Sequence, residues 1–371
     1  MHISDTHLGS VQYGIPERES DFYDAFREGI QIGIDRDVDF IVHSGDLFDS
    51  ARPSNRALRV AEESMMLLQK NNIPVFSIAG DHDRPKVRDN PSHILFDLFG
   101  LRILGLEGFE STLFRKGGEE VFIGGVSNMK LFKRDQLKEE YDRASREASD
   151  HKISVFMSHQ AISPLFPPES SEAREEDLPV NYNYLAFGHI HQFIKKKYGR
   201  SLFSYAGSTE VKSTNEISGL TRQGKGVNIV DTDGDETEME RVILKSVRVQ
   251  RDLTGTLDEC LEKLDGLNRE EYEKKPVITM HIHGKPNVEY MRKKLGEYRE
   301  KFIIRQPIIE ENAEAVEMSP SFEESIGSIF TKYFADEKKG NMALSIYNLI
   351  KDGKHSDEDI LKICEEILND N

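Results

Sequence analysis

The chain has 371 residues and a formal net charge of −17, with 37% hydrophobic and 31% charged residues, a length that suits two or three domains. Its acidity argues against a protein that coats nucleic acid by bulk charge, but leaves room for a local basic track or for divalent metals that invert the field at a site. No run of about 18 apolar residues offers a membrane span and no basic and apolar leader opens the chain. The two cysteines, Cys260 and Cys364, lack metal-ligand spacing and fit a reducing cytoplasm.

The predicted elements alternate. Residues 38–43 are a short apolar strand that ends in Ser44-Gly45-Asp46. A helix is predicted over 55–70, with Leu58, Ala61, Met65 and Leu68 on one face. Strands follow over 73–78, 153–157 and 185–187, ending respectively in Gly80-Asp81-His82-Asp83, Ser158-His159 and Gly188-His189-Ile190-His191. Strands alternating with helices predict an α/β layered domain over residues 1–235. The texture changes after the turn Asp231-Thr232-Asp233-Gly234-Asp235. Strand 242–249, helix 256–267, strand 277–283, helix 288–298 and strand 302–309 then make a small α+β module over residues 236–310. Residues 311–318 read as an acidic linker and 319–371 as a helical tail. In the tail Phe322, Ile326, Ile329, Phe330 and Tyr333 share a face, a short helix covers 342–350, and Ser356 with Asp359 forms a capping box for a last helix. Short helices are marginal alone in water, so the tail needs a surface, either the small module or a partner.

Each strand of the first part ends in a small residue followed by Asp or His, and open α/β sheets bind ligands beyond the carboxyl ends of their strands. Asp5 and His7, Asp46, Asp81, His159, and His189 with His191 therefore converge. These oxygen and nitrogen donors, with no thiol, suit two borderline-hard divalent cations such as Mn²⁺, with zinc or iron also admitted. Two cations about 3.5–4 Å apart clamp the attacking and leaving oxygens of an in-line displacement at phosphorus. They need an anion between them, and Asp46 is the natural carboxylate. His43 and His93 read as structural. So does the pair His281-x-His283, which lies in a strand pattern with no partner carboxylate nearby.

The ordered motifs D-x-H, G-D, G-N-H-D/E, a lone H and G-H-x-H resemble those of the calcineurin-like metallophosphoesterases. The segments His2-Ile3-Ser4-Asp5-Thr6-His7-Leu8-Gly9, Ser44-Gly45-Asp46-Leu47-Phe48-Asp49 with Arg52-Pro53, and Gly207-Ser208-Thr209-Glu210 narrow the likeness. They resemble the SbcD/Mre-eleven double-strand-break repair nucleases in their archaeal form. The resemblance covers the first domain well and the rest in outline. It implies an α/β fold: a calcineurin-like β-sandwich flanked by helices, a small α+β capping domain that places DNA over the metals, and a tail that docks on an SbcC/Rad-fifty-type ABC ATPase. It implies a homodimer, cytoplasmic and nucleoid-associated, with Mn²⁺-dependent 3′–5′ exonuclease action on double strands and endonuclease action on single strands. By the same resemblance Asp5, His7, Asp46 and His191 hold one metal, and Asp46, Asp81, His159 and His189 the other. His82 lies beside them as general acid for the leaving oxygen or as a stabiliser of the transition state, with Asp83 orienting it.

Three departures stand out. Asp81 takes the place of the family's Asn; its carboxylate has the same reach, and the added charge is expected to tighten the metal and partly offset its pull on the phosphate. Asp49 stands where some archaeal members carry His, so no DNA-strand role is carried over to it. Met1 lies closer to Asp5 than the first strand of this fold usually allows, which predicts either a short strand or a true start upstream.

Candidate DNA contacts are Arg52, Arg56 and Arg59 near the Gly-Asp motif, Lys130, Lys133 and Arg134 on a loop, Lys195, Lys196 and Lys197 after the metal histidines, and Lys212. Such cations give sequence-independent, salt-sensitive binding to phosphates. No aromatic stacking platform is evident, so no single-strand groove is predicted. Two other function classes stay open. A phosphatase or cyclic-nucleotide phosphodiesterase acting on small substrates would not need the second domain or the tail. A non-catalytic scaffold for the ATPase would not need an intact ligand set.

Overall fold

The computed structural model describes residues 1–85, 90–233 and 235–310; the linker and the helical tail expected over 311–371 lie outside the described residues. Two six-stranded sheets face each other. The first runs in the order Thr237–Ile243, Gly226–Thr232, His2–Ile3, Ile41–His43, Val75–Ser77, Leu101–Ile103. Its last four strands are parallel and the first two form an antiparallel hairpin. The second runs Ile194–Tyr198, Ser201–Tyr205, Tyr184–Gly188, Ile153–His159, Glu119–Val126, Glu110–Lys116, with parallel strands in the middle and antiparallel ones at both edges.

Strand alternation sorts the side chains into layers. Ile41 points outward, with Ile3 and Val75, to the helices Pro16–Asp35 and Asn55–Lys70, which bury Phe26, Ile30, Ala61, Met65 and Leu68 there. Its neighbour Val42 points inward, where Phe76, Ile78, Ile123, Val155, Met157 and Ala186 fill the space between the sheets. Phe156, between Val155 and Met157, faces out again and packs with Tyr141 and Ala144 of the helix Arg134–Glu147. The sandwich flanked by helices is therefore as expected. The helix Asn55–Lys70 keeps its predicted bounds because Ser54 caps it, accepting from Ala57 N–H at 3.2 Å.

The boundary near 235 needs correction. The register Gly226↔Ile243 to Thr232↔Thr237 pairs the strands on either side of that boundary as one hairpin of the first sheet. The Asp233 side chain accepts from the N–H groups of Asp235 and Glu236, turn chemistry that serves hairpins and domain junctions alike. Of the strand expected over 242–249 only 242–243 are strand, as the end of that hairpin; residues 244–249 cross to the small module, whose first strand is Gln250–Gly255.

In that module the parallel strands Gln250–Gly255, Val277–His283, Ile303–Ile304 and Ile308–Glu310 carry the helices Leu257–Leu267 and Val288–Tyr298 on one face. The single strand expected over 302–309 is split in two, with Pro307, which has no N–H to donate, in the gap. An ion network, buried at Arg18, Asp21 and Arg248, joins the module to the first helix. Arg248 Nη2 lies 3.0 Å from Asp21 Oδ1, Arg18 pairs with Asp21 and Glu210, and Lys274 Nζ lies 2.8 Å from Asp24 Oδ2. No helix among the described residues is long and apolar enough to cross a membrane.

Candidate metal centre

Parallel strands of both sheets deliver the donors to one edge. Ile3 pairs with His43, His43 with Ser77, and His159 with Gly188, so the strands end level and the loops carrying Asp5, Asp46, Asp81 and His189 start side by side. These loops turn sharply. Asp5, His7, Asp46 and His189 have φ of 51°, 43°, 56° and 86°, a left-handed region that costs a non-glycine residue about 1–3 kcal/mol. Gly45, at φ 91°, could not be replaced without strain, and a Cβ there would also collide with His159 Nδ1 and the Gly80 main chain. The glycine of the Gly-Asp motif thus serves a close approach as well as a turn.

Two donor groups overlap on one carboxylate. In the first, His7 Nε2 lies 3.1 Å from His191 Nε2 and 3.7 Å from Asp46 Oδ2, and His191 Nε2 lies 3.8 Å from Asp5 Oδ1. In the second, Asp81 Oδ1 lies 3.1 Å from His159 Nε2 and 3.2 Å from His189 Nδ1, and Asp46 Oδ2 lies 3.5 Å from His159 Nε2. The opposite nitrogens are committed elsewhere: His7 Nδ1 faces Asp49 Oδ1 at 3.3 Å, His191 Nδ1 faces Glu216 Oε1 at 2.9 Å, and His159 Nδ1 donates to the Ser44 carbonyl at 2.8 Å. Carboxylates and carbonyls only accept, so in the neutral rings of His191 and His159 the Nδ1 atoms carry the protons. His191 and His159 then turn their Nε2 lone pairs into the site, as ligands to a cation do. Ligand atoms of Asp5, His7 and His191, and of Asp81, His159 and His189, come within 4.8 Å of one another in each group. The residues present fit divalent metal.

The electrostatics agree. Burial favours the neutral form of Asp46, yet the His159 and His7 imidazoles outweigh it and hold the carboxyl well below the usual range. Asp81 is lowered in the same way, against its own burial, by His159 and His189. Burial would lower His159, but Asp46 and Asp81 raise it well above the ordinary histidine value, so a metal must displace a proton there. Burial dominates at His7 and lowers it despite Asp49 and Asp46, which favours the neutral ligand.

Comparison with known proteins is decisive at this point. Residues 1–193 match the family model described as calcineurin-like phosphoesterase. The DNA double-strand break repair protein Mre11 of Thermoplasma acidophilum is 40% identical over 376 residues, covering 100% of this chain and 98% of that protein. The Mre11 proteins of Methanococcus maripaludis and Sulfurisphaera tokodaii are 32% and 34% identical, covering 100% and 77% of this chain and 99% and 73% of theirs. The chain belongs to the Mre11 family. It is a metal-dependent phosphoesterase of the calcineurin-like class, as the motifs implied.

Within this Mre11 fold His82 stands at the rim of the first group. Its N–H donates to Asp46 Oδ1 at 2.9 Å, its ring Nδ1 donates to the Asp49 carbonyl oxygen at 2.8 Å, and its ring is edge-on to His7. Asp83 does not orient it. The buried Asp83 carboxylate accepts from the N–H groups of Leu47, Phe48 and Gly80 at 3.3, 3.0 and 3.0 Å. Those buried donors need an acceptor, so Asp83 staples two metal loops together and the Asp49 main chain sets the His82 ring.

Asp49 and Glu216 are the residues that sequence reasoning missed. Ser213-x-x-Glu216 is a legible capping box and forms one, but nothing in the pattern shows that the same carboxylate reaches His191 and Lys225. Lys212, expected on a DNA track, lies inside the site: its Nζ is 2.8 Å from Asp49 Oδ1, 3.1 Å from His7 Nδ1 and 3.2 Å from His82 Nε2. Arg52, Lys130 and Lys133 are exposed. Arg56 pairs with Glu19, Arg59 with Glu63 and Lys196 with Glu175, exposed pairs that are worth little and that a phosphate can displace. Arg134 opens a helix and donates to the carbonyl oxygens of Pro168 and Ser171 instead of standing free on a loop. His43 and His93 are buried and belong to neither donor group. His281 and His283 do have a carboxylate partner: Glu310, on the neighbouring strand, lies 3.2 and 3.5 Å from them.

Proposed function

We propose that this chain is an Mn²⁺-dependent DNA nuclease that digests double-stranded ends 3′–5′, cuts single strands internally, and works as a homodimer with an SbcC/Rad-fifty-type ABC ATPase. The observation that carries the proposal is the pair of donor groups sharing Asp46 at the strand exits, in a chain whose full-length relatives are named for double-strand break repair. Asp5, His7, Asp46 and His191 would hold one cation, and Asp46, Asp81, His159 and His189 the other. Bound, the pair supplies charge stabilisation for an in-line displacement at phosphorus. His82, with its Nδ1 proton committed to the Asp49 carbonyl, presents Nε2 to the leaving oxygen. Asp83 acts behind it by fixing the loops.

The surroundings support a polymeric substrate. Arg52, Lys130 and Lys133 offer exposed cations to a phosphate backbone. The small module, anchored by the Asp21, Arg248 and Lys274 network, serves as the cap over the bound strand. Met66, Leu67, Leu95 and Leu98 are 50, 40, 61 and 81% exposed on the helix Asn55–Lys70 and the adjoining turn Ser92–Phe99. An apolar patch of this kind marks an interaction surface, and a second copy would cover it.

The test is cleavage of linear duplex DNA and of a small bis-phosphoester with Mn²⁺, by wild type and His82→Ser, without the ATPase. DNA degradation that His82→Ser abolishes supports the nuclease. Activity confined to the small ester would replace it with a phosphodiesterase of small substrates. Bound metal with neither activity would point to a scaffold or to strict dependence on the ATPase.

A further inference from the structure

We infer that Lys212, held by Asp49, is a substrate-contacting residue that donates to a non-bridging oxygen of the phosphodiester and keeps His82 facing it; the inference rests on the nuclease reading above.

The backbone that carries Lys212 is fixed from both sides. Glu210 is buried against Arg18 and accepts from the Val211 N–H at 2.7 Å, while the Glu216 carboxylate accepts from the N–H groups of Lys212 and Ser213 at 3.3 and 3.0 Å. The side chain is therefore aimed. A surface lysine is a solvated, mobile cation, whereas the Lys212 and Asp49 side chains are only 21% and 29% exposed. That exposure leaves room for a ligand atom and little for a hydration shell.

Counting donors shows what the ammonium has left. Lysine has three N–H groups and no acceptor. One goes to Asp49 Oδ1 at 2.8 Å. His7 Nδ1, 3.1 Å away, is the weaker partner because it also faces Asp49 Oδ1 at 3.3 Å. His82 Nε2, at 3.2 Å, is the second acceptor until it carries the proton that it hands to the leaving oxygen. The N–H directed at His7 meets no anion there and lies beside the metal groups, where the scissile phosphate must come and brings a charged oxygen that binds it more strongly. The local charge makes such a donor useful. Asp5, Asp46 and Asp81 bring three carboxylates to the two metal groups and Asp49 adds a fourth beside them. Among the described residues, Lys212 is the cation that reaches both a donor imidazole and His82. Asp49 is then a hub: its side chain holds Lys212 and His7, and its main-chain oxygen holds His82.

The experiment compares full-length wild type with Lys212→Met and Lys212→Arg. Mn²⁺ affinity and stoichiometry are measured by calorimetry. In the presence of Mn²⁺, equilibrium binding is measured for two probes: a phosphorothioate-linked thymidine dinucleotide, which is charged, and the methylphosphonate-linked dinucleotide, which is not. Steady-state cleavage of a small bis-phosphoester completes the set. Lys212→Met is expected to bind Mn²⁺ like wild type, to bind the charged probe about tenfold more weakly, to leave the neutral probe unchanged, and to lose about 100-fold in kcat, the scale of one removed transition-state donor. Lys212→Arg should recover most of the charged-probe affinity. Equal weakening of both probes, or losses that follow a loss of Mn²⁺, would overturn the inference and leave Lys212 as a structural support of His7. If wild type does not cleave the small ester, the nuclease reading is decided by duplex DNA cleavage with the ATPase present, while the two probes still decide whether Lys212 meets a phosphate.

Discussion

The two halves of the metal centre share Asp46 but draw their negative charge from different places. In the first half the imidazoles of His7 and His191 are each backed by a carboxylate, Asp49 and Glu216, at 3.3 and 2.9 Å, and Asp5 is fully buried. In the second half His159 is backed by the Ser44 carbonyl, and the charge sits on the donor Asp81 itself, 44% exposed and in contact with both His159 and His189. A carboxylate behind a histidine makes it a more basic ligand without touching the metal. A carboxylate in front confronts both the metal and the incoming phosphate. Equal numbers of donors therefore give one half shielded from solvent and substrate and another that is open to both.

Removing the shared residue is expected to break both halves. Asp46→Asn should lower Mn²⁺-dependent cleavage at least ~10³-fold, given the several kcal/mol that metal charge supplies to the transition state, and should reduce the Mn²⁺ stoichiometry seen by calorimetry. Two ions bound with unchanged affinity would mean that the halves are independent. Glu216→Gln is expected to separate them, weakening the first half about 10–100-fold while the second keeps its affinity. A melting curve must accompany it, because Glu216 also accepts from Ser208 and Lys225, and a parallel loss in both halves would show general loosening instead. Asp81→Asn should act only on the second half and more mildly. About tenfold weaker Mn²⁺ binding is expected together with a modest rise in kcat on a small diester, as repulsion of the phosphate is relieved. Unchanged affinity and rate would remove any special role for this carboxylate.

Much of the donor set was legible because each member follows an apolar strand, and parallel strands that end level must bring their exits together. The contrast between the halves was not legible, for three physical reasons. Asp49 and Glu216 reach their histidines through tertiary contact, from segments that read as a loop and as a helix cap. The left-handed φ values at Asp5, His7, Asp46 and His189 are imposed by the close packing of loops, against the preference of those residue types. Asp83, adjacent to His82 in sequence, turns to the buried N–H groups that outbid the imidazole. The same limit applies away from the site. A polar stretch near residue 235 joins a hairpin as readily as it ends a domain, and the carboxylate that meets His281 and His283 arrives from a strand 27 residues later in the chain.

The smallest effect concerns what lies behind the first half. His43 is buried at the end of its strand, and its Nε2 lies 3.1 Å from Thr6 Oγ1; that hydroxyl in turn donates to the Leu47 carbonyl at 3.0 Å, so the Asp5-Thr6-His7 turn rests on a neutral imidazole. Burial, with the neighbouring His93 adding to it, lowers the His43 pKa to about 3, despite the opposing pull of Asp5 and Asp46. The sign follows from linkage. Because the folded value lies below the ordinary histidine value of about 6.5, the unfolded chain takes up the proton first, and stability present above pH 6.5 is lost as pH falls towards 3. The slope for this one group approaches about 1.4 kcal/mol per pH unit within that window. Denaturant unfolding of metal-free protein at pH 6 and pH 4.5 measures it. His43→Gln, which keeps a donor to Thr6 and cannot titrate, should be less stable than wild type at pH 6 and should close part of that gap at pH 4.5. A constant gap across the two pH values would show that His43 is protonated as easily in the folded chain as in the unfolded one, and that the first half does not depend on its neutrality.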